Sequence, residues 1–329
     1  MKIPNAPALC AGTAARAAAL FRVMNPAPPR ELKLGIIGLD TSHVIVFSDT
    51  FNNPASKLAL KGARVTVAWP GGSPDVESSI SRVAGYTADL RDKFGVTIVD
   101  SPEAVAQACD AILLTSLDGR THPGQFARIA PFGKPVFMDK PFAVSTADAK
   151  AMFATAKQHN VRLFSASSLR FTEALVKIVT PATRASVRGA DFCGAAAHEK
   201  TNPGLFWYGI HAVEMLYTAM GRGCRSVRCV SNQHYDLATG VWADGRIGTV
   251  RGNRTGNYEM HGLVHFEKTT AAVNVQTQAK PFYASLTEAY LAFFQGGAVP
   301  IDPEETIEII RFIEAANESS AHGGREVLL

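Results

Sequence analysis

From Leu32 onward, short apolar runs rich in β-branched residues alternate with stretches whose apolar residues recur at helical spacing. No other feature of the chain limits its fold so strongly. The run LKLGIIGLD (32–40) closes on Gly38, as in a buried parallel strand, and residues 43–51 carry Val44, Phe47 and Phe51 on one helical face. Further strands are predicted over 63–69, 96–100, 111–116, 135–139 and 161–167, with helices over 76–93, 122–131 and 145–160. Another helix enters through Ser101 as N-cap, Pro102 at its first position and Glu103 in its first turn; Ser145 caps the helix that follows it. This alternation predicts β-α-β units with right-handed crossovers, hence an α/β domain built on a doubly wound, Rossmann-like parallel sheet. Ligands of such sheets sit at the carboxyl ends of the strands, which here are Gly38–His43, Trp69–Ser73, Thr115–His122 and Asp139–Pro141.

After about residue 220 the texture changes to short alternating segments with a hairpin signal at Ala243-Asp244-Gly245. A final helix over 303–317 enters through Asp302-Pro303. This part reads as a C-terminal α+β domain with an open antiparallel sheet. At roughly 100–200 residues per domain, the 329 residues divide into an N-terminal extension (1–31), a nucleotide-type domain (32–165) and a second domain (166–329). Its residues 1–30 are Ala-rich, lack acidic residues and carry Arg16, Arg22 and Arg30. Arg16 interrupts its apolar run, so a secretory signal fits poorly; a short helix or disordered extension, or a targeting segment, are the readings left.

Composition excludes several classes. At 47% apolar and 19% charged, disorder is not the main state. The net charge of +4 comes from scattered basic residues, so nucleic acid is not an expected partner. No apolar run reaches the ~20 residues of a bilayer span. The five cysteines form no C-x-x-C pair and read as free thiols of a reducing compartment, hence a cytoplasmic protein. Clustered Cys/His ligands, His-Glu-x-x-His, a G-x-S-x-G elbow and a P-loop are all missing, so no metal is expected.

Four features in order resemble the glucose–fructose oxidoreductase/inositol dehydrogenase (Gfo/Idh/MocA) family: GIIG (35–38), Asp139-Lys140-Pro141 where the family has Glu-Lys-Pro, Gly209-Ile210-His211-Ala212-Val213-Glu214 for its Gly-x-His-x-x-Asp helix, and a closing helix with a trailing Gly-Gly-Arg-Glu-Val. The resemblance covers residues 32–329. It implies an NAD(P)-dependent oxidoreductase acting on a secondary alcohol or carbonyl of a sugar or cyclitol, with NAD or NADP as cofactor. It also implies a homodimer or homotetramer formed through the C-terminal sheet. Two alternatives stay open: a relative that retains NAD and drives glycoside hydrolysis or elimination, and a degenerate relative that binds a ligand or partner without turnover.

The chain departs from the family at three places. The fingerprint G-x-G-x-x-G falls on Gly38, Asp40 and His43, so only the first glycine remains. Asp40 puts a carboxylate where backbone normally approaches the diphosphate, and can alternatively cap the helix by accepting from Ser42 or His43. Thr41 and Ser42 can donate hydroxyls there, and a protonated His43 can face a phosphate. The end of the second strand carries Trp69 and Pro-Gly-Gly-Ser (70–73) instead of an acid, so nothing repels a 2′-phosphate. Trp69 either stacks on adenine or packs; Ser73 offers a hydroxyl. Thirdly, the family's Asp four residues before the motif histidine is Trp207.

The candidate catalytic residues are Lys140, His211 and Glu214. His211 is assigned the base and Lys140 the binding and polarisation of the oxygen. Glu214, three residues on along the same helix, substitutes as the partner that orients His211. The candidate cofactor-binding residues are Gly38, Asp40, Thr41, Ser42, His43, Trp69, Ser73, Thr115, Ser116, His122, Lys140 and Pro141. Asp118 and Arg120 either touch substrate or pair in solvent. His198, Glu199 and Lys200 are placed along the cleft.

Overall fold

The computed structural model describes Met1 and residues 30–329. The expectations for the N-terminal extension therefore lie outside the described residues, apart from Met1 and its last two positions. The first sheet is built from β1 (Leu32–Ile37), β2 (Ala63–Trp69), β3 (Thr97–Ile98), β4 (Ala111–Leu114), β5 (Val136–Met138) and β6 (Leu163–Ser165). Its order is β3-β2-β1-β4-β5-β6 and every neighbouring pair is parallel. The switch point of this doubly wound sheet thus lies between β1 and β4, where a ligand crevice opens at the strand ends.

The crossovers are α1 (His43–Asn52), α2 (Glu77–Phe94), α3 (Pro102–Ala108), α4 (His122–Ile129) and α5 (Thr146–Gln158). Local chemistry sets their starts where the sequence signals it. Ser101 Oγ accepts from the Ala104 amide, and Ser145 Oγ from the Asp148 amide. Gly38 ends β1 at φ +91°, and a Cβ there would stand 2.2 Å from Ser116 Oγ and 2.5 Å from its amide nitrogen. The first fingerprint glycine is thus demanded by the contact between the β1 and β4 ends, whatever binds beside it.

The remainder comprises α6 (Glu173–Val176), β7 (Val187–Ala195), α7 (Ile210–Met220), β8 (Cys224–Ser231), β9 (Tyr235–Trp242), β10 (Ile247–Asn253), β11 (His261–Phe266), β12 (Thr270–Asn274), α8 (Phe282–Phe294), α9 (Pro303–Ala321) and β13 (Val327–Leu328). The second sheet runs β12-β11-β7-β10-β9-β8-β13. It is antiparallel, as expected, except between β7 and β10, which run parallel. A parallel neighbour requires a long connection, and α7, β8 and β9 supply it. The β9–β10 hairpin turns at Ala243–Gly245 as expected, closed by Gly245 N–H to Trp242 O.

Helix α8, which the segment patterns left unassigned, returns to the first sheet. Its Leu286, Tyr290 and Phe293 are buried against Phe47, Phe137 and Phe164. Tyr290 meets Phe137 at 5.2 Å and Phe47 at 5.3 Å between ring centroids. Cys109, Cys193, Cys224 and Cys229 are free thiols. Among the described residues no helix is long and apolar enough to cross a membrane.

Candidate active site

The ends of β1, β5 and β6 and the start of α7 converge on a cavity of about 330 Å³. Thr41, Ser42, His43, Lys140, Trp207, Tyr208 and His211 are among its lining, with Arg82 of α2 and Gln276. Lys140 leaves β5 through Asp139, and its ammonium lies 5.3 Å from the centre of the Tyr208 ring, a cation–π distance. Burial lowers the Lys140 pKa below the usual 10.5, and Asp139 opposes the shift. His211 sits in the first turn of α7. Burial, then the positive charges of Lys140 and His43, hold its pKa well below the usual 6.5, so its imidazole is neutral at neutral pH.

His43 does not face the cavity as a free cation. Its Nδ1 is paired with Asp139 Oδ2 in a buried contact, and its ring stands edge-on to Tyr283 at 5.1 Å. Burial pushes the Asp139 carboxyl up, but His43, Lys140 and the Lys140 amide outweigh it and hold it below the usual range. Asp139 is therefore ionised beside Lys140.

Glu214 is not the partner of His211. Its carboxylate pairs with Arg170 Nη1 at 3.0 Å and accepts the Ser167 amide at 3.3 Å. A glutamate one turn on reaches the same helix face, but here a buried arginine claims it. Arg170 also pairs with Glu305, joining the region after β6 to α9. Burial pushes the Glu214 carboxyl up despite Arg170. The imidazole is instead held by Ser167, whose Oγ lies 2.6 Å from Nδ1.

Asp40 neither caps α1 nor lines the cavity. It is buried; Oδ2 accepts from Ser79 Oγ at 2.7 Å and Oδ1 from the Leu117 amide at 3.0 Å. Its carboxylate thus ties the β1–α1 turn to α2 and to the loop after β4. Burial raises its pKa, outweighing those hydrogen bonds. Ser42 occupies the N-cap position of α1 without a side-chain bond.

Four further candidates are engaged elsewhere. Ser73 Oγ donates to Asp118 at 2.9 Å; Thr115 Oγ1 donates to Gly38 O at 2.7 Å; Ser116 Oγ donates to Gln125 at 2.9 Å. His122 is fully buried, with Nδ1 facing Phe142 O at 3.1 Å and Nε2 facing Ser116 O at 2.7 Å. Burial lowers its pKa. Trp69 packs against the core with the Arg128 guanidinium 6.0 Å from its ring, which favours its packing role. Pro141 follows Lys140 through a cis peptide bond and, with Gly38, lies outside the cavity lining.

Asp118 is buried, not solvated. It is bonded to Arg120, Ser73 and Asn202, and Arg120 continues to Asp75. His198 lies beside Arg254 and Asp236 in a different hollow from that of Lys140 and His211, which corrects its placement along the cleft. Glu199 bridges to Asn202, and neither Glu199 nor Lys200 lines the Lys140 cavity.

Ser167, Tyr208, Tyr283, Arg82 and Gln276 were not among the sequence candidates. Ser167 had a legible signal, because it stands just past the carboxyl end of β6. The others reach the site by tertiary packing. A larger hollow of about 640 Å³ on the open face of the second sheet, beside Asp191, Cys193 and His261, includes neither Lys140 nor His211.

Residues 33–167 match the family described as "Oxidoreductase family, NAD-binding Rossmann fold", GFO_IDH_MocA. No curated protein matches the chain by sequence. Solved structures match in fold. A putative myo-inositol dehydrogenase from Sinorhizobium meliloti 1021 superposes with TM-score 0.72 at 16% identity, over 90% of this chain and 99% of that one. GenD2 from gentamicin A biosynthesis, in complex with NAD, gives 0.74 at 16% identity, over 92% and 98%. Scyllo-inositol dehydrogenase from Lactobacillus casei, with bound NAD(H) and scyllo-inositol, gives 0.73 at 15% identity, over 91% and 99%.

Proposed function

Residues 33–167 match the Gfo/Idh/MocA oxidoreductase family, and on that premise we propose that the chain is a member of it and a nicotinamide-dependent oxidoreductase of secondary alcohols or carbonyls on sugar- or cyclitol-like molecules. The observation that carries this reading is one cavity holding Lys140 and His211 beside Thr41, Ser42 and Arg82. In this proposal residues 32–165 form the cofactor domain and 166–329 the substrate and association domain.

The residues present suit a dinucleotide at its diphosphate and nicotinamide ends. Thr41 and Ser42 bring hydroxyls, and Arg82 a guanidinium without a carboxylate partner among the described residues. The inward turn of Asp40 keeps its charge off this surface. In this reading Thr41, Ser42 and Arg82 hold the diphosphate. Trp69 stands where an acid would select against a 2′-phosphate, so either NAD or NADP is accommodated.

A bound nicotinamide would supply the hydride chemistry at the carbinol carbon. The protein handles the oxygen and its proton. Lys140 is assigned the proton, because its pKa is lowered toward the range in which an amine both accepts and releases one. His211 is assigned the oxygen, since an imidazole held neutral is a poor store for a proton but a good hydrogen-bond partner. This reverses the division of labour expected from sequence. Tyr208 and Trp207 supply aromatic walls, and Gln276 and Ser168 supply polar groups, as a polyhydroxylated ring requires. We further propose homo-oligomer formation through the open face of the second sheet, where Leu237, Val241, Ile247 and Leu263 are exposed.

Titration of the intrinsic tryptophan fluorescence with NADH and NADPH tests the cofactor. A saturable change with at least one is expected, followed by turnover on a panel of cyclitols and aldoses; absence of any saturable change would sink the proposal. A second reading, a ligand-binding relative without turnover, is favoured by one observation. The amides of Gly38 and Leu39 are already bonded to Trp69 O at 3.0 Å and Pro70 O at 2.6 Å. Binding of a polyol in the absence of cofactor, with no dinucleotide binding, would select it.

A further inference from the structure

Ser167 is buried just past β6, and its hydroxyl makes two contacts. Oγ accepts the Leu169 amide at 3.1 Å, capping the short turn at 168–171, and lies 2.6 Å from His211 Nδ1. A serine hydroxyl carries one proton. With one lone pair given to Leu169, the O–H has a single acceptor among the described residues, His211 Nδ1. A ring nitrogen that accepts carries no proton, so the imidazole proton resides on Nε2.

The nearby groups do not oppose this arrangement. Glu214 is held by Arg170 and the Ser167 amide. Asp139 is paired with His43. Trp207, four residues before His211, offers a ring and an N–H donor but no acceptor. A carboxylate partner would have required the proton on Nδ1 and turned a bare lone pair at Nε2 toward substrate. A donating serine does the reverse.

We propose that Ser167 is a positioning residue that holds His211 as the Nε2–H tautomer, so that the ring offers the substrate oxygen a hydrogen bond instead of a lone pair. The proposal rests on the oxidoreductase reading and deepens it. A fixed N–H donor matches a carbonyl oxygen, which has only lone pairs to offer, better than it matches an alcohol that must give up a proton. The ketone form of the sugar or cyclitol is therefore the form that His211 recognises, and no proton leaves His211 during the reaction.

Long-range 1H–15N correlation spectra of uniformly 15N-labelled protein test the tautomer without cofactor or turnover, with His211→Gln identifying the His211 signals by their loss. The expected spectrum is the neutral Nε2–H pattern in the wild type, retained in Ser167→Thr and replaced by a tautomer mixture in Ser167→Ala. A wild-type Nδ1–H pattern, or a Ser167→Ala spectrum identical to wild type, overturns the proposal. If Ser167→Ala does not fold, the wild-type and Ser167→Thr spectra decide alone. In turnover, Ser167→Ala is expected to lose about tenfold in kcat for ketone reduction and Ser167→Thr to restore it, with the dinucleotide KM unchanged. If the tautomer is as proposed but neither NADH nor NADPH binds, the oxidoreductase reading fails and the serine's hold on the ring stands.

Discussion

The two halves of the crevice above the first sheet use their polar groups in opposite ways. On the β2 side, Asp40, Ser73, Ser79, Asp118, Arg120 and Asn202 are bonded to one another across four loops and the start of α2. On the β5 side, Lys140 has an aromatic ring and a neighbouring charge but no hydrogen-bonded carboxylate, and Arg82 faces the same cavity without an ion pair among the described residues. A buried polar network that is fully satisfied rigidifies its surroundings. Groups left without partners in a cavity are instead available to a ligand. The contrast separates a half that supports the architecture from a half that can carry chemistry.

The largest effect expected from this contrast is at Lys140. Lys140→Met should reduce turnover by about 1,000-fold, within the range of acid–base contributions, while the far-ultraviolet circular dichroism stays unchanged. Turnover equal to wild type would remove the proton-transfer assignment.

Asp118→Ala attacks the other half and should lower stability by about 2–4 kcal/mol in urea denaturation, because it strands a buried network. Burial pushes Asp118 up, but Arg120, Asn202 and Ser73 prevail and hold its pKa below the usual 3.8. A depressed folded-state pKa contributes stability above the unfolded value, and that stability fades as pH falls through the lowered one. The wild-type advantage over Asp118→Ala should therefore be full at neutral pH and vanish in acid. A constant difference across pH would mean that the charge is not what the network uses.

Asp40→Gly sharpens the comparison further. If Asp40 obstructed a diphosphate, the substitution would tighten dinucleotide binding. The inward geometry predicts the contrary: no gain in affinity by calorimetric titration, and a loss of about 1–3 kcal/mol from the unpaired Leu117 amide and Ser79 hydroxyl. The smallest effect concerns pH. With Lys140 below 10.5, alcohol oxidation should rise with pH and ketone reduction fall, both through a transition below that value. A pH–rate profile governed by a group near 6.5 would return the proton to His211.

Much of the scaffold was legible in residue patterns because it depends on local chemistry. Ser101, Ser145 and the Asp302-Pro303 pair announce helix starts, and each side-chain oxygen accepts an amide of its helix's first turn. The period-two and continuous apolar runs announce strands in the same way. Lys140 and His211 were legible as motif positions, and they do share a cavity. Glu214 and Asp40 were misread for one reason. The spacing along a helix or turn states what a side chain can reach, not which competitor reaches it first. Arg170 lies 44 positions before Glu214 and Leu117 lies 77 after Asp40, and both claim those carboxylates.

The sequence by itself determined a doubly wound sheet followed by a second sheet, because periodicity, caps and turn residues act over a few positions. Only the tertiary structure decided that His211 answers to Ser167, that Asp40 turns inward and that Lys140 is left without a hydrogen-bonded carboxylate. Those outcomes are settled by competition for buried hydrogen bonds among groups distant along the chain, and where water is excluded each donor takes the acceptor that packing brings to it.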